Sequence, residues 1–141
     1  MRFLDANVFI YAYYKPKKQL TQREKQMKEQ AKQIIRNVSQ GKEEVTMTVV
    51  HLSEIVNILK HSMPLDQLTK IVRGLFMLDN VKIHGVTREV YFAATELGED
   101  LKLEANDALA VDFTRLNDMK EIYSFDEDFE QIEGVLRLPK L

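Results

Sequence analysis

Asp5 closes Arg2-Phe3-Leu4, a run that reads as a short buried strand turning into an apolar helix. Glu54 stands in the first turn of the helix that follows a β-branched run, and Asp107 opens a helix. Asp126 and Asp128 lie just past the strand end Tyr123-Ser124. In an open α/β sheet, ligands collect in the crevice outside the carboxyl ends of the strands. Acids far apart in sequence are therefore expected to converge on one sheet edge. Like charges in a partly buried site raise one another's pKa or require a counter-charge. A hard divalent cation supplies it: Mg²⁺ and Mn²⁺ take oxygen ligands, and Mg²⁺ keeps waters and binds phosphate oxygens. With no cysteine, and histidine only at positions 51, 61 and 84, zinc is a poor fit. The chemistry implied is in-line attack of metal-activated water on a phosphodiester. Ser124 has no histidine nearby in sequence, which argues against a covalent nucleophile.

Singly, each acid has a plainer reading. Asp107, Asp126 and the neighbouring Asn7 are the residue types that cap helices and turns, and Asn7 reads as the cap of the first helix. A first-turn glutamate such as Glu54 is common on exposed helices. Only the shared placement points to a metal. Asp112 does not join the set, because five residues along a helix rotate it about 140° away from Asp107.

The elements that must position these acids alternate in type. A first helix stops at Pro16, and Thr21-Gln-Arg-Glu24 has the form of a capping box. Leu20, Met27, Ala31, Ile34, Ile35 and Val38 recur at helical spacing until Gly41. Val45–Val50 reads as a strand, and from His51 the period becomes helical as far as Pro64. Further elements follow: a helix over Leu65–Leu78, a strand over Val81–His84, and a helix from Thr87 to about Leu97 interrupted by Gly98. Next come the helix from Asn106, the strand Glu121–Ser124, a turn or short helix over Asp126–Glu130 and a strand Val135–Leu138. Strands alternating with helices through short links predict an α/β layer fold with a mainly parallel sheet, and residues 1–141 read as one domain.

The chain of 141 residues has 45% hydrophobic and 30% charged residues, the balance of a globular protein with a real core. No apolar run approaches the length needed to cross a bilayer, the opening MRFLDANVFIYAYY lacks signal-peptide features, and the absence of cysteine suits a reducing, cytoplasmic setting. A formal net charge of −2 alone argues against a polyanion partner. That average conceals nine basic residues against two acids between Lys15 and Lys42, and eleven against 20 elsewhere: local charges of +7 and −9. Lys17, Lys18, Arg23 and Lys25 are the candidate contacts to the phosphates of a polyanion such as a nucleic acid, and Tyr11, Tyr13 and Tyr14 could stack unpaired bases. A solvated helix face and ordinary packing explain the same residues.

Four pieces carry a family resemblance: Leu4-Asp5-Ala6-Asn7 after an apolar strand, Thr48 six residues before Glu54, Asn106-Asp107-Ala108-Leu109-Ala110, and Ser124-Phe125-Asp126-Glu127-Asp128-Phe129. In this order, over nearly the whole chain, the sequence resembles PIN domains, specifically the small nucleases of the VapC toxin type. The resemblance implies a three-layer α/β/α sandwich and a Mg²⁺- or Mn²⁺-dependent endoribonuclease. Its acids would be Asp5, Glu54, Asp107 and Asp126, with Asp128 as an accessory ligand. Asn7, Thr48 and Ser124 would orient them by hydrogen bonding. It further implies a homodimer and a cognate antitoxin partner. The basic helix from about Thr21 to Gln40 is longer than in many relatives, and His51-Leu52-Ser53 replaces the small or hydroxyl residues often found before the glutamate. Two alternatives are a PIN nuclease acting in RNA maturation or DNA maintenance without an antitoxin, and a receiver-like Mg²⁺-binding module without hydrolysis. The second fits less well, since one acid rather than a pair follows the first strand and no strand-end aspartate falls mid-chain.

Overall fold

A computed structural model describes residues 1–140. Five short strands, β1 (Arg2–Leu4), β2 (Val45–Thr48), β3 (Val81–His84), β4 (Glu121–Tyr123) and β5 (Leu136–Leu138), form one sheet in the order β3-β2-β1-β4-β5. Every pairing is parallel. Parallel neighbours need crossover connections, and six helices supply them: α1 (Ala6–Tyr13), α2 (Gln22–Ser39), α3 (Val49–Leu59), α4 (Leu65–Met77), α5 (Arg88–Leu101) and α6 (Ala105–Leu116). A 3₁₀ turn over Glu127–Gln131 joins β4 to β5.

The sheet separates two apolar layers, because side chains alternate across a strand. Leu4, Val45, Met47 and Tyr123 pack with α1–α4 on one face, around Phe9, Ile35, Ile55 and Leu59. Phe3 and Ile122 turn to the other face and meet Ala110 and Val111 of α6, with Phe129 from the 3₁₀ turn. The result is an α/β/α sandwich. Among the described residues no helix is long and apolar enough to cross a membrane.

Several boundaries differ from those expected. The strand read to Val50 ends at Thr48, whose hydroxyl accepts from the amides of Val50 and His51 and so starts α3 two residues early. Glu54 therefore lies in the second turn of α3. Gly98 does not interrupt α5 but lies inside it, buried, where a Cβ would stand 2.5 Å from the carbonyl oxygen of Leu103. Glycine here permits the α5–α6 link to fold back against α5, and the Leu103 amide bonds the Gly98 carbonyl at 2.9 Å. The capping box at Thr21–Glu24 forms as read.

The strand order reverses beside β1: β2 and β3 extend to one side, β4 and β5 to the other. The crevice at such a switch point, outside the carboxyl ends of the strands, is the natural ligand site of an open parallel sheet. Asp5 leaves β1 at this crevice, and Ser124 to Asp126 leave β4 beside it.

Candidate active site

Asp5 is 4% exposed and caps α1, its Oδ1 accepting from the Ala6 amide at 2.9 Å. The Ser124 hydroxyl donates to the other oxygen at 2.8 Å. Asn7 is not the helix cap. Its amide instead ties the β1 and β4 ends together, Nδ2 donating to the Ser124 Oγ at 3.2 Å and Oδ1 accepting from the Phe125 amide at 3.2 Å. The Ser124 Oγ also accepts from the Asp126 amide at 3.0 Å. Asp126 in turn caps the 3₁₀ turn by accepting from the Asp128 amide at 2.9 Å. Beneath this turn the buried Arg137 donates to the Ser124 carbonyl at 3.1 Å and pairs with Glu130 at 2.5 Å.

A second network fixes the other two acids. His51 is fully buried; burial holds its pKa down to about 4, so the ring is neutral. Its Nδ1 meets the Thr48 hydroxyl at 2.7 Å and its Nε2 the Asn106 carbonyl at 3.0 Å, which assigns the proton to Nε2. Asn106 then donates from Nδ2 to Glu54 Oε1 at 2.7 Å and accepts from the Tyr91 hydroxyl at 2.5 Å. Thr48 thus acts on Glu54 through His51 and Asn106. The same contacts dock the first turn of α6, which carries Asp107, against α3.

Electrostatics couple the two networks. Burial first, and then the charges of Asp5, Asp126, Glu54 and Glu104, push the Asp107 carboxyl up to about 8. Asp5 rises to about 7: burial dominates and Glu54 and Asp126 add to it, while the bonds from Ser124 and the Ala6 amide oppose it. Glu54 is raised by burial and by Glu104, against the bond from Asn106. No basic side chain figures among the groups acting on these three acids. Such an oxygen-only, anionic donor set fits a hard divalent cation. Among the described residues no three Asp, Glu or His side chains form a ready-made metal cage.

The model of the PIN domain family matches residues 2–135. The chain belongs to the PIN domain family. No curated protein sequence matches it significantly. Solved structures share its fold at low identity. A toxin–antitoxin complex from Klebsiella pneumoniae is 16% identical with a TM-score of 0.64 and 96% of each chain covered. The Mycobacterium tuberculosis toxin VapC20, which cleaves the sarcin–ricin loop, is also 16% identical at a TM-score of 0.64, with 92% of this chain and 93% of that one covered. VapBC2 from Rickettsia felis, bound to a fragment of its promoter DNA, is 13% identical with a TM-score of 0.62, covering 97% of this chain and 96% of that one.

Membership of the PIN family removes the receiver-like alternative, and so does topology. Receiver sheets run in the order 2-1-3-4-5, whereas β1 here lies between β2 and β4. In this PIN domain Asp5, Glu54, Asp107 and Asp126 act on one another electrostatically, while Asp128 is exposed beside Asp126. Of the candidate RNA contacts, Arg23 reaches the site's border, pairing with Glu127 at 2.8 Å; Lys17, Lys18 and Lys25 are exposed. Sequence reading gave no role to Asn106, Glu104 or Arg137, and met His51 only as a departure from the family pattern. The available signals were a histidine ahead of the apolar stripe Leu52, Ile55 and Val56, and Asn106 beside Asp107.

Proposed function

We propose that this PIN domain is an endoribonuclease that hydrolyses RNA phosphodiesters with carboxylate-bound Mg²⁺ or Mn²⁺, and that it is the toxin of a toxin–antitoxin pair. One observation carries the proposal: at the switch point of the sheet Asp5, Glu54 and Asp107 are raised by burial and by one another's charges, with Asp126 adding to Asp5 and Asp107 and no basic side chain acting on the three. These four would hold the ion, with Asp128 as an accessory ligand. When bound, the metal supplies an activated water and charge stabilisation at the phosphate. The remaining work belongs to the protein. Ser124 and the Ala6 amide orient both oxygens of Asp5, Asn7 locks the β4 exit to α1, and Asn106 aims Glu54. Of the structurally similar proteins, one is described as a toxin–antitoxin complex, one as a toxin that cleaves the sarcin–ricin loop, and one is VapBC2 on its promoter DNA. By that likeness we propose a protein antitoxin as partner; the resemblance of the sequence to VapC-type nucleases adds a homodimer, and its lack of cysteine a cytoplasmic setting.

The test is cleavage of a mixed RNA pool by the purified chain with Mg²⁺ or Mn²⁺, with EDTA, and by Asp5→Asn. Cleavage that needs the metal and Asp5 supports the mechanism. Cleavage that survives chelation or the substitution overturns it, and cleavage of DNA alone overturns the substrate.

A further inference from the structure

The site has an apolar neighbour one aromatic contact away. The end of α1, the link that follows it and the start of α2 enclose a cavity of about 320 Å³ walled by Ile10, Tyr11, Tyr14 and Leu20, together with Lys18 and Lys28. Its shape is held from behind. The Lys28 ammonium donates to the carbonyls of Tyr11 at 3.1 Å and Tyr14 at 2.8 Å, fixing the open end of α1 against α2. The carboxylate on its lining, Glu24, is committed to the Thr21 amide at 3.2 Å in the capping box. Tyr11 packs against Phe125 with ring centroids 5.0 Å apart, and Phe125 sits between Ser124 and Asp126. The cavity therefore abuts the strand exit that carries the acids. Lys15, Lys17, Lys18, Arg23 and Lys25 are exposed around this stretch, and Arg23 reaches Glu127 next to Asp126.

An acidic cluster repels a polyanion, so a nucleic acid must be held by something beside it. We propose that this groove takes an unpaired base of a single-stranded RNA, stacked on Tyr14 and Tyr11, with the flanking phosphates on Lys17 and Lys18. The proposal rests on the nuclease reading above and adds to it a point of substrate selection. Tyrosine rings stack on any base whose face is free, and a duplex keeps its bases stacked on each other. The groove thus selects for unpaired RNA without needing a base-specific hydrogen bond. Lysines neutralise phosphates and make the binding salt-dependent. Tyr14 lines the groove and is 42% exposed.

The experiment uses the full chain in EDTA, so that binding is read without cleavage. The probe is a fluorescein-labelled mixed-sequence 12-nucleotide RNA, followed by anisotropy. It is compared with the same RNA carrying one abasic position stepped along it, and with a 12-base-pair RNA duplex. Tyr14→Ala is expected to weaken single-strand binding about tenfold or more, and Tyr14→Phe to restore it. One abasic position should cost as much as Tyr14→Ala and nothing further in that variant. Lys17→Ala and Lys18→Ala should each lower the salt slope by about one phosphate's worth. Tyr14→Ala binding RNA as tightly as the wild type overturns the proposal, as does a duplex that binds equally well. So does a groove that takes an acidic, leucine-rich peptide through Tyr14 while RNA affinity is unchanged by the substitution. A wild-type chain that shows the Tyr14-dependent binding yet cuts no RNA with Mg²⁺ or Mn²⁺ supports the groove and overturns the nuclease reading alone.

Discussion

Arg2 and Asp5 stand three residues apart, at opposite ends of β1, and their surroundings differ in kind. At the amino edge of the sheet Arg2 pairs with Glu43 and, at 3.2 Å, with Glu121, while its guanidinium lies 5.1 Å from the Tyr123 ring centroid. The Tyr123 hydroxyl completes the group by donating to Glu43 at 2.6 Å. Both acids there share the one guanidinium of Arg2. At the carboxyl edge Asp5, Glu54 and Asp107 have hydrogen-bond donors and one another, and their carboxyls are pushed up rather than down. The first arrangement is what stability alone would select. The second costs stability in the bare protein, a cost that the proposed metal would offset.

Breaking the carboxyl edge should give the largest effect. Asp107→Asn removes a carboxylate held at about 8 by burial and its neighbours, so the metal-free variant should melt above the wild type at pH 9 and match it near pH 4. If Asp107 holds the metal, the same change lowers RNA cleavage about a thousandfold, the loss of several kcal/mol of charge stabilisation. A variant less stable than the wild type at pH 9 would contradict this account of the edge.

The contrast sharpens with pH. Folded Asp5 and Asp107, at about 7 and about 8, bind protons that unfolded carboxylates near 3.8 have released. The folded state then carries the extra protons, so stability falls as pH rises through this range. His51 acts oppositely between its folded value of about 4 and its unfolded 6.5, where the unfolded chain binds the proton. Metal-free protein should therefore lose stability most cleanly between pH 6.5 and 8, and Mg²⁺ or Mn²⁺ should raise the melting temperature most at the upper end. Thermal melts in EDTA and in each metal check both signs.

A smaller effect is expected where the edge is held rather than formed. Asn106→Ala leaves Glu54 without its donor and the His51 Nε2 contact to the main chain intact. Metal affinity or activity should fall about 10- to 100-fold, while circular dichroism remains unchanged. Smallest is the balanced edge itself: Arg2→Leu should cost about 1 kcal/mol of stability, read by urea melts, and leave cleavage unaffected. Loss of cleavage by Arg2→Leu in a folded protein would erase the distinction between the two edges.

Much of the fold was legible because its determinants are local. The β-branched run at Val45, the helical stripe from Met27 to Val38 and the Thr21–Glu24 box each declare themselves within one element. The acids were legible for the same reason, as polar residues at element ends. What escaped reading depends on partners far along the chain. Asn7 and Asp5 are equally good caps by type. Ser124 and Phe125, more than a hundred residues on, engage Asn7 at the β4 exit and leave Asp5 to cap α1. Gly98 resembled a helix stop because its reason for being glycine, the Leu103 carbonyl folding back, lies outside the helix.

By itself the sequence determined the alternation of strands and helices, the residue types at each strand exit and the uneven distribution of charge, all set by propensity and period over a few residues. Tertiary structure alone decided that β4 inserts beside β1 rather than beyond β3, which carries Ser124 and Asp126 to Asp5. It also decided that His51 and Asn106 bridge α3 to α6, and that burial raises Asp5, Glu54 and Asp107 without a basic partner. Desolvation and long-range hydrogen bonding have no signature in a one-dimensional pattern, since both arise only when distant segments exclude water from the same space.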